Sequence, residues 1–196
     1  MTVVASIVEG DGEVAALPVL LRRIGQWLTP EKIPQVVPPI RIPRDRFLNR
    51  PEEFNRYLQL AAAKSGDSGW ILILLDADDD CPATLGLNIA DRARAVVPYR
   101  RVAVVLANRE FEAWFIAAAS SLDGVRNFAL RPGDEAVNPE LPRNAKGWMG
   151  DRIVGGGYRE TTDQPAFAAR FDLSVCMERS RSFRKLCSEW KKNFDG

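Results

Sequence analysis

The sequence predicts an α/β fold: a mostly parallel four-stranded sheet flanked by helices, with a loop-rich helical extension at its C-terminal end. Three observations point there. Strand-like runs alternate with segments whose apolar residues recur at helical spacing, in the order β-α-β-α-β-α-β-α. The intervening crossovers are long enough that successive strands run parallel. Two of the strand runs, Trp70–Leu75 and Arg101–Ala107, are almost continuously apolar, as expected of strands covered on both faces.

Val3–Val8 is β-branched and ends at Glu9-Gly10-Asp11-Gly12, a strand followed by a turn. Leu17, Leu20, Leu21, Ile24 and Leu28 then mark a helix, with Pro18 expected near its first turn and Thr29-Pro30 stopping it. Val36–Ile42 reads as a second strand, at an edge or irregular because of Pro38-Pro39. Phe54, Tyr57, Leu58 and Ala61 mark a helix from near Pro51 to Gly66. The Trp70–Leu75 strand is followed by a helix over Pro82–Val96, and the Arg101–Ala107 strand by one beginning near Arg109.

From Leu122 to Thr161 the periodicity dissolves among prolines and glycines, a length that is usually functional or ordered by a partner. Short helices are expected over Asp163–Arg170, Leu173–Arg179 and Ser182–Lys192. The chain thus divides into an α/β domain at 1–121 and a helical extension at 122–196 packed on it. In the last helix Phe183, Leu186, Trp190 and Phe194 form one stripe that packs on the body, leaving Arg184 and Lys185 on the outer face to reach toward a site. The alternative is a helix that docks a partner.

The chain of 196 residues is 46 % hydrophobic and 27 % charged, an ordinary globular balance. It has no histidine, which excludes Ser-His-Asp and Cys-His nucleophilic machinery, HExxH metalloproteases and His-containing zinc fingers. Cys81, Cys176 and Cys187 form no CxxC pair and suit buried small residues in a reducing cytosol. No apolar run approaches the ~18 residues of a membrane span. Met1–Gly10 has no basic region followed by an apolar stretch, so a cytoplasmic chain without membrane association is expected. Net charge is +1, but the charges are segregated. Asp67, Asp76, Asp78, Asp79 and Asp80 form an acidic stretch, while Arg41, Arg44, Arg46 and Arg50 fall in a basic one.

In a parallel sheet the strand ends share one edge, where open α/β folds place their sites. Glu9 and Glu13 follow the first strand, Asp76 and Asp78 the third, and Glu110 and Glu112 the fourth. Carboxylates converging from three segments repel one another unless protonated or neutralised by a cation. Oxygen-only ligands select Mg²⁺ or Mn²⁺, the ions of phosphoryl-transfer chemistry. Each piece also has a plainer reading: a turn at Gly10-Asp11-Gly12, a first-turn acid at Glu13, and helix caps at Asp78–Asp80 and Asn108. Phe111 to Phe115 suit a core, and Gly155-Gly156-Gly157 lacks the Gly-Lys-Ser/Thr of a P-loop.

Val8-Glu9-Gly10-Asp11-Gly12-Glu13, Leu74-Leu75-Asp76-Ala77-Asp78 and Arg109-Glu110-Phe111-Glu112-Ala113-Trp114 resemble domain-of-unknown-function family 4276, a Toprim-like family. Thr162-Asp163-Gln164 and Ser182-Phe183-Arg184 extend the resemblance over nearly the whole chain. It implies a relation to the Toprim domains of overcoming-lysogenization-defect nucleases. It also implies Glu9 in an acid–base or metal role, Asp76 and Asp78 as metal ligands, Glu13 as the second acid of a Glu-x-x-x-Glu, and Glu110 at a second ion. The Ser expected two residues before Glu110 is Asn108 here. The implied function is Mg²⁺-dependent (or Mn²⁺-dependent) cleavage of nucleic acid, DNA in preference to RNA, in phage defence or DNA processing. Glu9, Asp76 and Asp78 would be catalytic. Arg41, Arg44, Arg46, Arg50, Arg184 and Lys185 would hold the phosphates, and an ATPase encoded nearby would be a partner. Two alternatives stand beside it: a degenerate Toprim module serving as the ATPase's binding subunit, and another Asp-x-Asp enzyme such as a phosphatase or nucleotide-sugar transferase.

Overall fold

A computed structural model describes residues 1–195. Strand β1 (Val3–Val8) lies at the centre of the sheet. It pairs in parallel with β4 (Trp70–Asp76) on one side, and with two short strands, β2 (Gln35–Val36) and β3 (Ile40–Arg41), on the other. β5 (Arg101–Ala107) pairs in parallel with β4, giving the order β2-β1-β4-β5 with β3 also on β1. The mostly parallel α/β architecture of the sequence reading is therefore present. Its second strand is split in two, because Pro38 and Pro39 supply no amide to the ladder. Around them, Val37 N–H donates to Val4 O and Ile42 N–H to Val8 O, so β2 and β3 occupy one interrupted sheet position.

Period-two alternation sends β4 side chains to two cores. Ile71, Ile73 and Leu75 meet α3 (Pro51–Ser65), α4 (Pro82–Val96) and Phe47 of the short helix α2 (Arg44–Asn49). Trp70, Leu72 and Leu74 face α1 (Asp11–Leu28), α5 (Ala113–Ala117) and the C-terminal helices α7 (Glu160–Ala168), α8 (Leu173–Arg179) and α9 (Arg181–Asp195). Phe183, Leu186, Trp190 and Phe194 are buried in this second core. Trp190 lies edge-on to Trp70 at 6.0 Å and donates its indole N–H to Thr29 Oγ1 at 3.0 Å.

Three expectations are corrected. Pro18 sits in the middle of α1 rather than near its first turn, because the helix already begins at Asp11. The helix expected near Arg109 begins only at Ala113, since Arg109 has φ 69°, outside the helical region. The span 122–161 is not structureless: it holds 3₁₀ turns at Val125–Asn127 and Asp134–Ala136 and helix α6 (Ala145–Gly150). Arg152 pairs with Asp134 there and stacks 3.5 Å over Trp148.

Gly69, between α3 and β4, has no room for a side chain. A Cβ there would run into the backbone oxygens of Ser65 and Val3. Gly69→Ala is expected to cost about 1–3 kcal/mol, as an overpacked site does. The check is a lower denaturant midpoint at unchanged slope; an unaltered midpoint would contradict the packing described here.

Candidate functional site

The parallel strands bring Glu9, Asp76 and the segment after β5 to one edge of the sheet. Asp76 is the last residue of β4, and its Oδ1 accepts the Phe111 amide at 2.8 Å. Beyond it, Ala77 N–H donates to Ala107 O and Asp78 N–H to Arg109 O, both at 2.9 Å. Asp78 and Arg109 both have positive φ, 50° and 69°, so the two strand ends turn outward together. Glu13 lies in the first turn of α1 and is buried. Gly10 makes room for it: a Cβ on Gly10 would collide with the Glu13 carboxylate. Gly12 leaves space in the same way for the Gln164 amide of α7.

Glu112 completes the group. It is fully buried, and its Oε1 accepts from Tyr158 Oη at 2.9 Å and Gln164 Nε2 at 3.0 Å. Glu110 turns elsewhere, accepting the Lys146 amide at 2.9 Å through Oε2 and so holding the start of α6. Between Glu110 and Glu112, both named from sequence as acids after the fourth strand, the structure directs Glu112 toward Asp76 and Glu13. Period-two spacing cannot separate them, because the backbone leaves the strand at Asn108.

Two cations answer this charge. Arg44 at the start of α2 lies 3.7 Å from Glu9, 3.6 Å from Asp78 and 2.9 Å from Asp80. Lys146 on α6 pairs with Glu160 at 3.1 Å, and its charge acts on Glu112, Asp76, Glu13 and Glu9. Lys146 was missed in the sequence because it falls in the span without periodicity. Of the other predicted bases, Arg41 pairs with Asp11 at 3.0 Å, beside the site, whereas Arg46 and Arg50 turn to Glu53. Arg184 donates to Met177 O and Glu178 O at the end of α8, and Lys185 pairs with Glu189 at 2.7 Å. The place at the carboxylates foreseen for Arg184 or Lys185 is filled by Lys146. Asn108 caps no helix; its amide donates to Ser182 Oγ at 3.2 Å.

The carboxyls bind protons tightly. Burial, then the Glu13 charge, pushes Glu9 up to about 7 against the pull of Arg44. Burial likewise pushes Glu112 up to about 7, with Lys146 opposing. Burial and the Glu112, Glu13 and Glu9 charges raise Asp76 well above the usual range, and burial raises Glu13. Among the described residues Glu9 Oε2, Glu13 Oε2 and Glu112 Oε2 are buried and accept no hydrogen bond, Arg44 Nε lying 3.7 Å from the first. Buried polar atoms are normally paired, so three such oxygens at one edge mark a place for a proton or a ligand. Among the described residues no three acidic or thiol side chains surround a common point ready to hold a metal ion. The donor chemistry, carboxylate oxygens alone with three that accept no hydrogen bond among the described residues, nevertheless fits a hard divalent cation.

The family model described as "Domain of unknown function (DUF4276)" matches residues 8–190, and the chain belongs to that family. The fold is similar to that of the C-terminal region of the Xanthomonas campestris pv. campestris OLD protein, phased with iodine, with a TM-score of 0.50 at 16 % identity. That likeness covers 98 % of this chain and 95 % of the other. No curated protein matches the sequence.

From the ordinary value of 4.5 up to about 7, folded Glu9 and Glu112 hold protons that the unfolded chain has released. The stability that these two carboxyls contribute therefore falls as pH rises through that window. The slope is at most about 1.4 kcal/mol per pH unit for each carboxyl, and less at partly exposed Glu9. Melting in EDTA across that window should show the decline, and Glu112→Gln should flatten it. Asp76→Asn, a neutral isostere that keeps an oxygen acceptor for Phe111 and cannot take on the repelled charge, should leave the metal-free protein equally or more stable. Stability that rises with pH through the window would contradict this electrostatic picture.

Proposed function

We propose that this member of the DUF4276 family is a Toprim-like, Mg²⁺- or Mn²⁺-dependent enzyme that hydrolyses phosphodiesters in nucleic acid, DNA being the first substrate to test. The observation that carries the reading is that Glu9, Glu13, Asp76 and Glu112 lie at one strand edge, three of them with a buried oxygen that accepts no hydrogen bond among the described residues. The similarity to an OLD C-terminal region supports it through the fold.

Glu9, Glu13 and Asp76 would hold the ion, with Asp78 at the exposed mouth and Glu112 reaching in from the β5 side in place of Glu110. A divalent ion there would supply Lewis-acid polarisation of the phosphate and acidify a bound water. As base rather than ligand, Glu9, which burial pushes up to about 7 in the ion-free protein, would take and return a proton at working pH. Tyr158 and Gln164 hold Glu112 by Oε1 and leave Oε2 free to face the cluster. Lys146 counters the negative charge of the carboxylates, and a cation there favours a transition state richer in anionic oxygen. Arg44 spans Glu9, Asp78 and Asp80, and exchanging one of these carboxylates for a substrate phosphate would orient the scissile group.

The test is nicking of supercoiled plasmid with Mg²⁺, Mn²⁺ or EDTA. Metal-dependent nicking is expected, lowered about 10²–10⁴-fold by Glu9→Gln and lost in Asp76→Asn. A preformed ion site at about 100 times its Kd would also add roughly 2.7 kcal/mol of stability to the wild type. No nicking together with no metal response would instead favour a degenerate module acting as a subunit of an ATPase. Hydrolysis confined to phosphomonoesters or nucleotide sugars would favour another Asp-x-Asp enzyme.

A further inference from the structure

β5 is an edge strand: among the described residues it pairs with β4 and with no other strand. Ala107 turns its carbonyl to the β4 side, so by alternation the amides and carbonyls of Val102, Val104 and Leu106 face away from β4. Edges of this kind are usually shortened, covered or charged. Here α4 and α9 stand on either side of the edge and leave a groove of about 660 Å³ between them. Beyond the C-terminal end of β5 the Asn108 amide donates to Ser182 Oγ, and at its start Arg101 donates to Asn193 O at 3.0 Å.

The two banks differ. Toward α4 the lining is apolar: Val102, Val104 and Leu106 of the strand, with Leu87 of the helix. Leu87 is 68 % exposed, a large side chain with little to cover it. Toward α9 the lining is charged. Arg181 and Lys185 are 76 % and 52 % exposed at their side chains, while their partners Glu140 and Glu189 are each 13 % exposed. The cations are thus the more exposed members of the ion pairs on that bank.

We propose that this groove receives an extended segment of a partner protein, added as a further strand on β5, whose side chains alternate apolar and acidic. The main-chain edge would provide the hydrogen bonds, and the period-two alternation the specificity. Apolar residues would lie toward Leu87 and acidic residues toward Arg181 and Lys185. Charge argues against a second copy of this chain as the occupant. Antiparallel pairing of two β5 strands about a two-fold axis would set one basic α9 bank against the other. The inference is independent of the reading of the carboxylate edge.

The probe is a fluorescein-labelled heptapeptide of alternating valine and aspartate, titrated against the full chain and read by anisotropy. Saturable binding is expected, weakened about tenfold or more, a loss of at least about 1.4 kcal/mol, by Leu87→Glu and by Lys185→Glu. Both positions are exposed, and an unchanged melting temperature verifies that the variants fold. Methylating alternate peptide amides should abolish binding in one register and spare it in the other, since only one set faces β5. The amides of Val102, Val104 and Leu106 should gain protection from hydrogen exchange when peptide binds. The proposal is overturned by no binding up to about 1 mM peptide, or by equal binding of a valine–lysine peptide. It is equally overturned by concentration-dependent dimerisation that Leu87→Glu removes.

Discussion

Repulsion among buried carboxyls is the constraint around which this molecule is arranged. A parallel sheet delivers every strand end to one edge, and here three of those ends deliver acids. Glu9, Glu13, Asp76 and Glu112 are largely withdrawn from water, so their charges are poorly screened. The fold meets this in two ways. Protons stay on the carboxyls to higher pH than usual, and Arg44 and Lys146 approach from opposite sides of the chain's topology, one from α2 and one from α6.

The helices that cover the sheet also build the site. α7 packs along α1, and Gln164 reaches over Gly12 to Glu112. Tyr158, just before α7, stacks on Phe167 and donates to the same carboxylate. The apolar core beneath α1 runs without a break from Leu17 through Phe115 and Phe167 to Trp190. The C-terminal helices are thus structurally part of the same body as the strand ends that they help to position, and a change in their packing would be felt at Glu112.

Much of the fold was legible because its signals are local. Continuous apolar runs marked β4 and β5, and the stripe at Phe183, Leu186, Trp190 and Phe194 marked the buried face of α9. Glu9, Glu13 and Asp76 were legible because a strand followed by a turn places an acid at the edge whatever the rest does. What could not be read depends on long-range packing. Lys146 sits in a span whose glycines and prolines hide a six-residue helix. The choice of Glu112 over Glu110 depends on a backbone turn after β5 with Arg109 at positive φ. Arg44 was visible only as one member of a basic run, and nothing in that run tells it apart from Arg46, which turns to Glu53.

The most direct measurement is the number of protons released when the cluster takes up a divalent ion. Calorimetric titration of the protein with Mn²⁺ near pH 6.5, in two buffers of different ionisation enthalpy, gives that number. With Glu9 and Glu112 both titrating at about 7, binding should expel more than one proton per ion, and fewer in Glu112→Gln. Binding with no proton release, or no binding at all, would contradict the claim that these carboxyls hold protons in place of a cation.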